Sequence, residues 1–444
     1  MNSDELIILA AAKKKVMEEL KEQGEVIFKR GTIYGFHVDS QNSNPSNAIM
    51  YLKDAVGMTP AYMDFSADEW NWGSWWDAFF LPRPCMLKYD GTVDYYLDED
   101  NYEKKEDGSQ SDIADLSYEG NAMMEWGRDG KRIYYKLVND KNGKGYSCYI
   151  ADYQADDDYK CYSFINNQGD LVDHFYTPIY DGSLDEAGRL RSMSGAAAPL
   201  NGFNAQKEIN AALLNNTGND TLWYTENVAD SLLINMLLVL ITKSLDSQGK
   251  VGIGNAYGGS EANNSFIAPG SMNDKGMFWG KNVSGASTTA NHFGVKAFGM
   301  ENWWGNTWRR MAGMMIDKTA AVYYKLTWGK QDGSDIEGYP VSSPTGMIAA
   351  GLLPENLRTL ANGFASKMCV VNNAFLIPTE ASGASTKYYC DQIASNPYGN
   401  IYALRGGSSG GGAGAGAFAL SLHSSAASAY WTFGASVSCK PLAR

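Results

Sequence analysis

The sequence predicts an α+β protein, with a short N-terminal helix, a β-rich domain and a mixed C-terminal domain. Three observations carry this. Short aromatic-rich runs alternate with strong turn dipeptides between residues 31 and 181, the pattern of hairpins. The apolar run Leu232–Ile241 has the length of a buried helix. Apolar residues reach 44% and aromatics 12%, which excludes a disordered chain, and the abundance of Tyr, Trp and Gly favours strands.

Taken in order, Asp4–Gln23 reads as an amphipathic helix. Asn2 or Ser3 serves as its N-cap, Leu6, Leu9, Val16 and Leu20 form its apolar face, and Gly24 stops it. Residues 1–30 are thus a helix and connector. From 31 to 180, Asp90-Gly91, Asp129-Gly130, Asn142-Gly143 and Gln168-Gly169 punctuate the strands, and CMLKYDGTVDYYL and WGRDGKRIYYKLV both read as hairpins. The small-residue stretch 181–204, which holds Pro199, marks a domain junction, so residues 181–444 form the last domain. Within it the sequence predicts a buried helix over Leu232–Lys243, a helical segment at Val295–Phe298, and strands at Ala320–Thr327 and Met368–Phe375. The run Leu232–Ile241 is too short to cross a bilayer and contains Asn235. The first residues after Met1 are acidic and polar, unlike a secretory signal, so synthesis in the cytoplasm is expected.

The net charge of −13 repels phosphate backbones, which excludes nucleic acid as a partner. Six scattered cysteines show no C-x-x-C pair; they read as isolated buried thiols, with a structural disulfide as the alternative. The four histidines, His37, His174, His292 and His423, sit in no zinc-binding frame. Asp98-Glu99-Asp100 and Asp156-Asp157-Asp158 could offer oxygens to calcium but lack the EF-hand glycine, and solvated loop charge is the simpler reading. Gly406–Gly410 satisfies G-x-S-x-G, yet the glycines that follow cannot start the helix a nucleophile elbow needs. The tryptophan run WNWGSWWDAFF at 70–80 is either core and subunit contact or a platform for sugars. Nothing in the sequence singles out a glycosidase carboxylate pair.

The ending Tyr402–Arg444 alternates between two kinds of position. Arg405-Gly406-Gly407, Ala415–Leu420, Leu422, Trp431 and Gly434 read as framework, while Ser408–Gly411, Gly414, Ser421, His423, Ser424, Ser428, Tyr430 and Thr432 look interchangeable. The stretch Arg405–Gly416 has the composition of a flexible linker, but the apolar run Ala417–Leu422 and the aromatic Trp431 and Phe433 are expected to anchor it. Such a surface suits binding rather than catalysis.

Three segments together carry a family resemblance. Gly299-Met300-Glu301-Asn302-Trp303-Trp304-Gly305-Asn306-Thr307-Trp308 resembles the G-[MI]-E-N-[FW]-W-G-N-x-W segment of the variable receptor-binding proteins of phages that carry diversity-generating retroelements. Residues Ala403–Gly434 resemble that family's variable region, and Asn121–Gly127 and Gly182–Gly195 are similar to phage tail proteins of Gram-positive gut bacteria. Asparagines of the variable-region template fall on Ser408, Gly410, Gly411, Gly414, Ser421, His423, Ser424, Ser428, Tyr430 and Thr432. Each residue present is reachable from an asparagine codon by changing adenines alone, and Phe433 is reachable from an isoleucine codon by the same route. Ser409 departs from the pattern, since the template has Trp there.

The resemblance implies a C-terminal C-type-lectin-like domain that displays those eleven positions to a receptor on the bacterial surface. Arg405, Phe418, Trp431, Trp303 and Trp304 form the scaffold of the site. It further implies a virion tail protein that contacts other tail proteins, a homotrimer, with no catalytic residue, no metal and no cofactor. Two rival readings give the chain other work: an enzyme on the lectin-type fold of formylglycine-generating oxidases, whose reactive cysteine pair Cys390 and Cys439 do not match in motif, or a passive tail component whose Gly-rich end is only a spacer.

Overall fold

The hairpin expected around Asp90-Gly91 forms: Arg83–Lys88 pairs antiparallel with Val93–Tyr96, and Gly91 takes the left-handed conformation (φ 81°) that the turn demands. The structure, a computed structural model, describes residues 31–258, 266–282, 293–316, 322–324, 348–349, 360, 362–371, 375–395 and 401–443. The helix expected over Asp4–Gln23 and His292 lie outside these residues. The protein is mixed but strand-rich, with several sheets.

An antiparallel sheet runs in the order Ile49–Lys53, Ile33–Asp39, Gly145–Ala151, Tyr134–Asn139. Asn142-Gly143 makes the hairpin between its last two strands. WGRDGKRIYYKLV is not a hairpin, contrary to expectation. Asp129 and Gly130 both adopt positive φ (58° and 70°), and the turn carries the chain from Gly120–Trp126 in one sheet to Tyr134–Asn139 in another.

The second sheet corrects the domain boundary. Its order is Trp223–Thr225, Val437–Cys439, Phe175–Pro178, Gly120–Trp126, Arg83–Lys88, Val93–Tyr96, so strands from both sides of residue 181 share one hydrogen-bonded layer. Residues 33–444 form a single compact unit. One buried cluster includes Phe36, Trp126, Leu237, Trp303 and Phe418, which leaves no separate core for residues 31–180.

Among the described residues, two α-helices longer than a single turn pack into this unit, with a short one at Ser247–Lys250. Helix α1, Ala205–Leu213, starts at Asn204, whose side chain accepts from the Lys207 N–H (3.0 Å). Helix α2, Val228–Thr242, is the expected buried helix. It is predominantly apolar and buried on all sides, is capped by Asn227 accepting from the Ala229 N–H (2.8 Å), and ends at Lys243 in the left-handed conformation. Val295–Phe298 is not helical: Val295–Ala297 is a strand that turns through Phe298 and Gly299, both at positive φ, to pair with Met300–Glu301. Met368–Phe375 resolves into two strands, Lys367–Val371 and Phe375–Glu380, paired with each other. Of the strand expected at Ala320–Thr327, Val322–Tyr324 is described and extended.

The third large sheet holds the C-terminal segment. Trp308–Ile316 pairs antiparallel with Ile401–Arg405, which pairs with Leu420–Leu422; that strand runs parallel to Gln392–Ser395. Phe433–Gly434 adds to Trp308–Ile316 in parallel. Among the described residues, no helix is long and apolar enough to cross a membrane.

Candidate functional site

The segment Gly299–Trp308 is a buried knot of left-handed turns. Asn302 (φ 52°) and Asn306 (φ 58°) occupy a backbone region that asparagine tolerates better than most residues. Their side-chain amides both donate to Asp181 Oδ2, at 2.9 and 2.6 Å. Arg309 Nε donates to the other Asp181 oxygen (2.9 Å), while its Nη2 donates to the carbonyls of Glu301 and Asn302, both at 2.8 Å. Glu301 in turn accepts the N–H groups of Gly270 (2.9 Å) and Met272 (2.8 Å).

Arg405 joins this knot to the C-terminal segment. Its guanidinium lies 3.5 Å from the centroid of the Trp303 ring, donates through Nη1 to the Trp303 carbonyl (2.7 Å), and pairs through Nη2 with Glu226. Arg309 Nη1 approaches the same Glu226 oxygen at 3.6 Å. Asp181, Arg309, Glu226 and Arg405 are all buried, so each charge depends on its neighbours. Burial lowers the Arg405 guanidinium to about 10, against the opposing pull of Glu226. Trp303 Nε1 donates to Asn235 Oδ1 (2.9 Å), and Asn235 Nδ2 donates to the Ala417 carbonyl (2.6 Å). The polar residue inside the apolar helix is therefore a strut between the tryptophan motif and the C-terminal loop. Trp304 Nε1 donates to the Gly252 carbonyl (3.0 Å).

The Gly-rich loop is held along its whole length. Gly305 N–H donates to the Gly406 carbonyl (3.0 Å), Ser409 N–H to Asn306 (2.9 Å), and Gly412 N–H to Ala256 (2.7 Å). Gln248 Nε2 donates to the carbonyls of Gly412 (3.1 Å) and Ala415 (2.7 Å). Ala417 N–H donates to Ser247 Oγ (3.0 Å), and Phe418 N–H to Asp391 Oδ2 (2.7 Å). Glycine at 407 is required twice over, by a φ of 85° and because a Cβ there would lie 2.6 Å from Ala415 Cβ. Phe418 packs edge-on against Tyr389 at 5.2 Å, and Trp431, half-buried, against Phe266 at 5.6 Å.

The eleven expected contact positions do not share one degree of exposure. Gly410, His423 and Tyr430 are exposed, Tyr430 at 57%, and Gly411, Ser428 and Thr432 are half-buried. Ser408, Gly414, Ser421, Ser424 and Phe433 are buried, which corrects the expectation that all of them face outward. The reasons are local. Ser421 sits in a strand flanked by Leu404 on one side and Ala394 on the other. A Cβ on Gly414 would lie 2.8 Å from Gln392 Cβ. Phe433 pairs with Trp308, meets Tyr430 edge-on at 5.0 Å and lies 5.0 Å from the Arg310 guanidinium. Ser409, the position outside the adenine pattern, is fully buried beside Asn306.

Residues 424–432 are held by their main chain. Ser428 O accepts from Arg310 Nη2, Tyr430 O from the N–H groups of Gly202 (3.2 Å) and Phe433 (2.9 Å), Thr432 O from Trp308 N–H (2.8 Å), and Ser424 O from Tyr402 N–H (3.0 Å). A side-chain bond also occurs, Ser428 Oγ to Ser425 Oγ at 3.2 Å.

Arg310 is itself anchored by Glu208 of α1, Nε to Oε2 at 2.7 Å, with both groups buried. Burial pushes the Glu208 carboxyl up to about 8 from 4.5, against the opposing pull of Arg310. The folded protein therefore keeps this proton to higher pH than the unfolded chain does. The associated stability is full below about pH 4.5 and is lost as pH rises through 8. Glu208→Gln should flatten that decline, and urea midpoints measured at either end of the range check it; an unchanged slope refutes the assignment.

Cys390 and Cys439 are both buried, and burial pushes both thiols up, the reverse of the activated thiolate an oxidase needs. Asp181, Glu226, Asn235 and Arg309 were missed by sequence reasoning. The signals for them were Asn235 inside an apolar run and the Arg309-Arg310 pair directly after a tryptophan-rich motif, since polar and charged side chains in so apolar a setting need buried partners. Compared with known protein families and with curated proteins, the chain matches none.

Proposed function

We propose that this chain is a phage or prophage tail-tip protein of the diversity-generating-retroelement class, whose C-terminal lectin-type face binds a receptor on the bacterial surface. The observation that carries the reading is the main-chain grip on residues 424–432 just described. A segment held by its carbonyls keeps its course when its side chains change, which is what a surface of exchangeable residues requires. The buried Arg405, Trp303 and Trp304 below it are independent of the exposed residues.

In this copy the contact face is Gly410, Gly411, His423, Ser428, Tyr430 and Thr432. Tyr430 is its anchor, because a phenol ring supplies contact area and a hydrogen-bonding group with few rotatable bonds. A face of small residues with one anchor binds weakly alone, so the protein acts as a homotrimer among other tail proteins and gains from avidity. Tyr430→Ala combined with His423→Ala should reduce adsorption to host cells by at least about tenfold. The melting temperature should move by less than about 2 °C, because both side chains are exposed. Undiminished adsorption by the double variant refutes the proposal.

A further inference from the structure

A second candidate site lies on the tryptophan run, and it shares no residue with the variable segment. Trp70, Trp72 and Trp76, from the hairpin Tyr62–Asp64/Glu69–Asn71 and the loop after it, line a cleft of about 620 Å³ together with Trp279. Such a volume falls within the range of roughly 300–1,000 Å³ common for small-ligand sites. Trp75 and Phe80 of the same run are buried in the core, whereas Trp76 is 68% exposed, the most exposed large apolar side chain among the described residues.

The cleft is rigid. Trp70 stacks on Phe278 (centroids 4.3 Å apart, planes within 8°), Trp72 meets Phe278 edge-on at 5.4 Å, and Phe278 rests on Phe298 of the core. Trp279 is fixed by its Nε1 donating to Asp68 Oδ1 (3.1 Å), and Asp68 is held by Lys281 (2.8 Å). Trp76 is not a lone exposed residue: with Trp70, Trp72 and Trp279 it makes a contiguous aromatic surface rimmed by polar groups, the kind that marks a binding site.

The polar rim identifies what kind. Asp68, Glu69, Glu99, Asp100 and Asp274 line the cleft with a single lysine, Lys275, so a polyanion is repelled. A compact cation finds its places taken: Asp68, Glu99 and Asp274 are already paired with Lys281, Arg128 and Lys275, and Lys275 and Lys281 already lie 5.7 and 5.5 Å from the Trp279 ring centroid. An uncharged polyol suits both features. The C–H face of a pyranose ring stacks on indole, its hydroxyls donate to the carboxylates, and its oxygens accept from the ammonium groups. We infer that this cleft binds a neutral saccharide segment, giving the protein a fixed glycan site in addition to the exchangeable one proposed above.

The test uses the whole chain on an array of neutral and anionic bacterial-type oligosaccharides. Neutral members should be bound, and Trp76→Ala should weaken that binding about tenfold. Glu69→Gln should weaken it as well, because one of the two accepting carboxylate oxygens becomes an NH2 donor and the charge that strengthens the bond is lost. Binding should persist between about 50 and 500 mM salt, as expected where no charge is neutralised. The Tyr430→Ala, His423→Ala variant should keep it, which separates this site from the variable face. The inference is overturned if no neutral saccharide is retained or if Trp76→Ala binds as well as wild type. It is equally overturned if Trp76→Ala instead abolishes self-association in sedimentation, since the cleft would then be a contact between copies.

Discussion

Replacing Arg405 with methionine is expected to lower the unfolding free energy by about 3–5 kcal/mol, the usual cost of removing one member of a buried ion pair. Methionine fills much of the same volume, so the loss is electrostatic rather than a cavity. It strips Glu226 of its closest cation, leaving Arg309 at 3.6 Å, and removes the donor to the Trp303 carbonyl. Adding Glu226→Gln should restore part of the loss, because the carboxylate no longer stands uncompensated. Urea unfolding of the two variants decides the matter. A loss below about 1 kcal/mol for Arg405→Met would mean that the network is not what joins the tryptophan motif to the C-terminal strand.

The second large effect separates buried from exposed members of the variable set. Ser421→Tyr should destabilise by about 1–3 kcal/mol, because a phenol must enter a closed position between Leu404 and Ala394. Ser428→Tyr should change stability by less than about 0.5 kcal/mol, since that residue is half-buried and its carbonyl, not its side chain, is held by Arg310. Tyrosine is one adenine-only step from asparagine at both sites, so a neutral system would permit either. Thermal melts that show equal destabilisation at 421 and 428 would rule out the division of the segment into inner and outer positions.

The sequence already contained the hairpin at Asp90-Gly91, the turn at Asn142-Gly143 and helix α2, because each is decided by residues next to one another. What it did not contain is how distant pieces meet. Asp129-Gly130 reads as a hairpin turn, yet the flanking strands find better partners in two different sheets. The small-residue stretch at 181–204 reads as a linker, yet Asp181 closes the tryptophan motif by accepting from Asn302, Asn306 and Arg309. Val295–Phe298 has no local feature against a helix, and it takes positive φ at Phe298 because a tight turn is needed to reach Met300–Glu301. For the site, the scaffold residues Arg405, Phe418, Trp303 and Trp304 were legible as framework. The split of the eleven positions into exposed and buried was not, since Ser and Gly have the same composition on either side of a strand.

Val437–Cys439 lies inside its sheet, with Trp223–Thr225 on one side and Phe175–Pro178 on the other, and Lys440 just beyond it pairs with buried Asp230 at 3.1 Å. On the proposed reading, residues 403–434 are rewritten gene by gene, while the strand encoded immediately downstream is not. Any rewriting that slips the reading frame therefore forfeits an interior strand, and translation leaves a gap where backbone donors and acceptors should be paired. Adenine-only substitutions keep the frame, so on that reading the interior strand is retained whatever residues are displayed upstream of it.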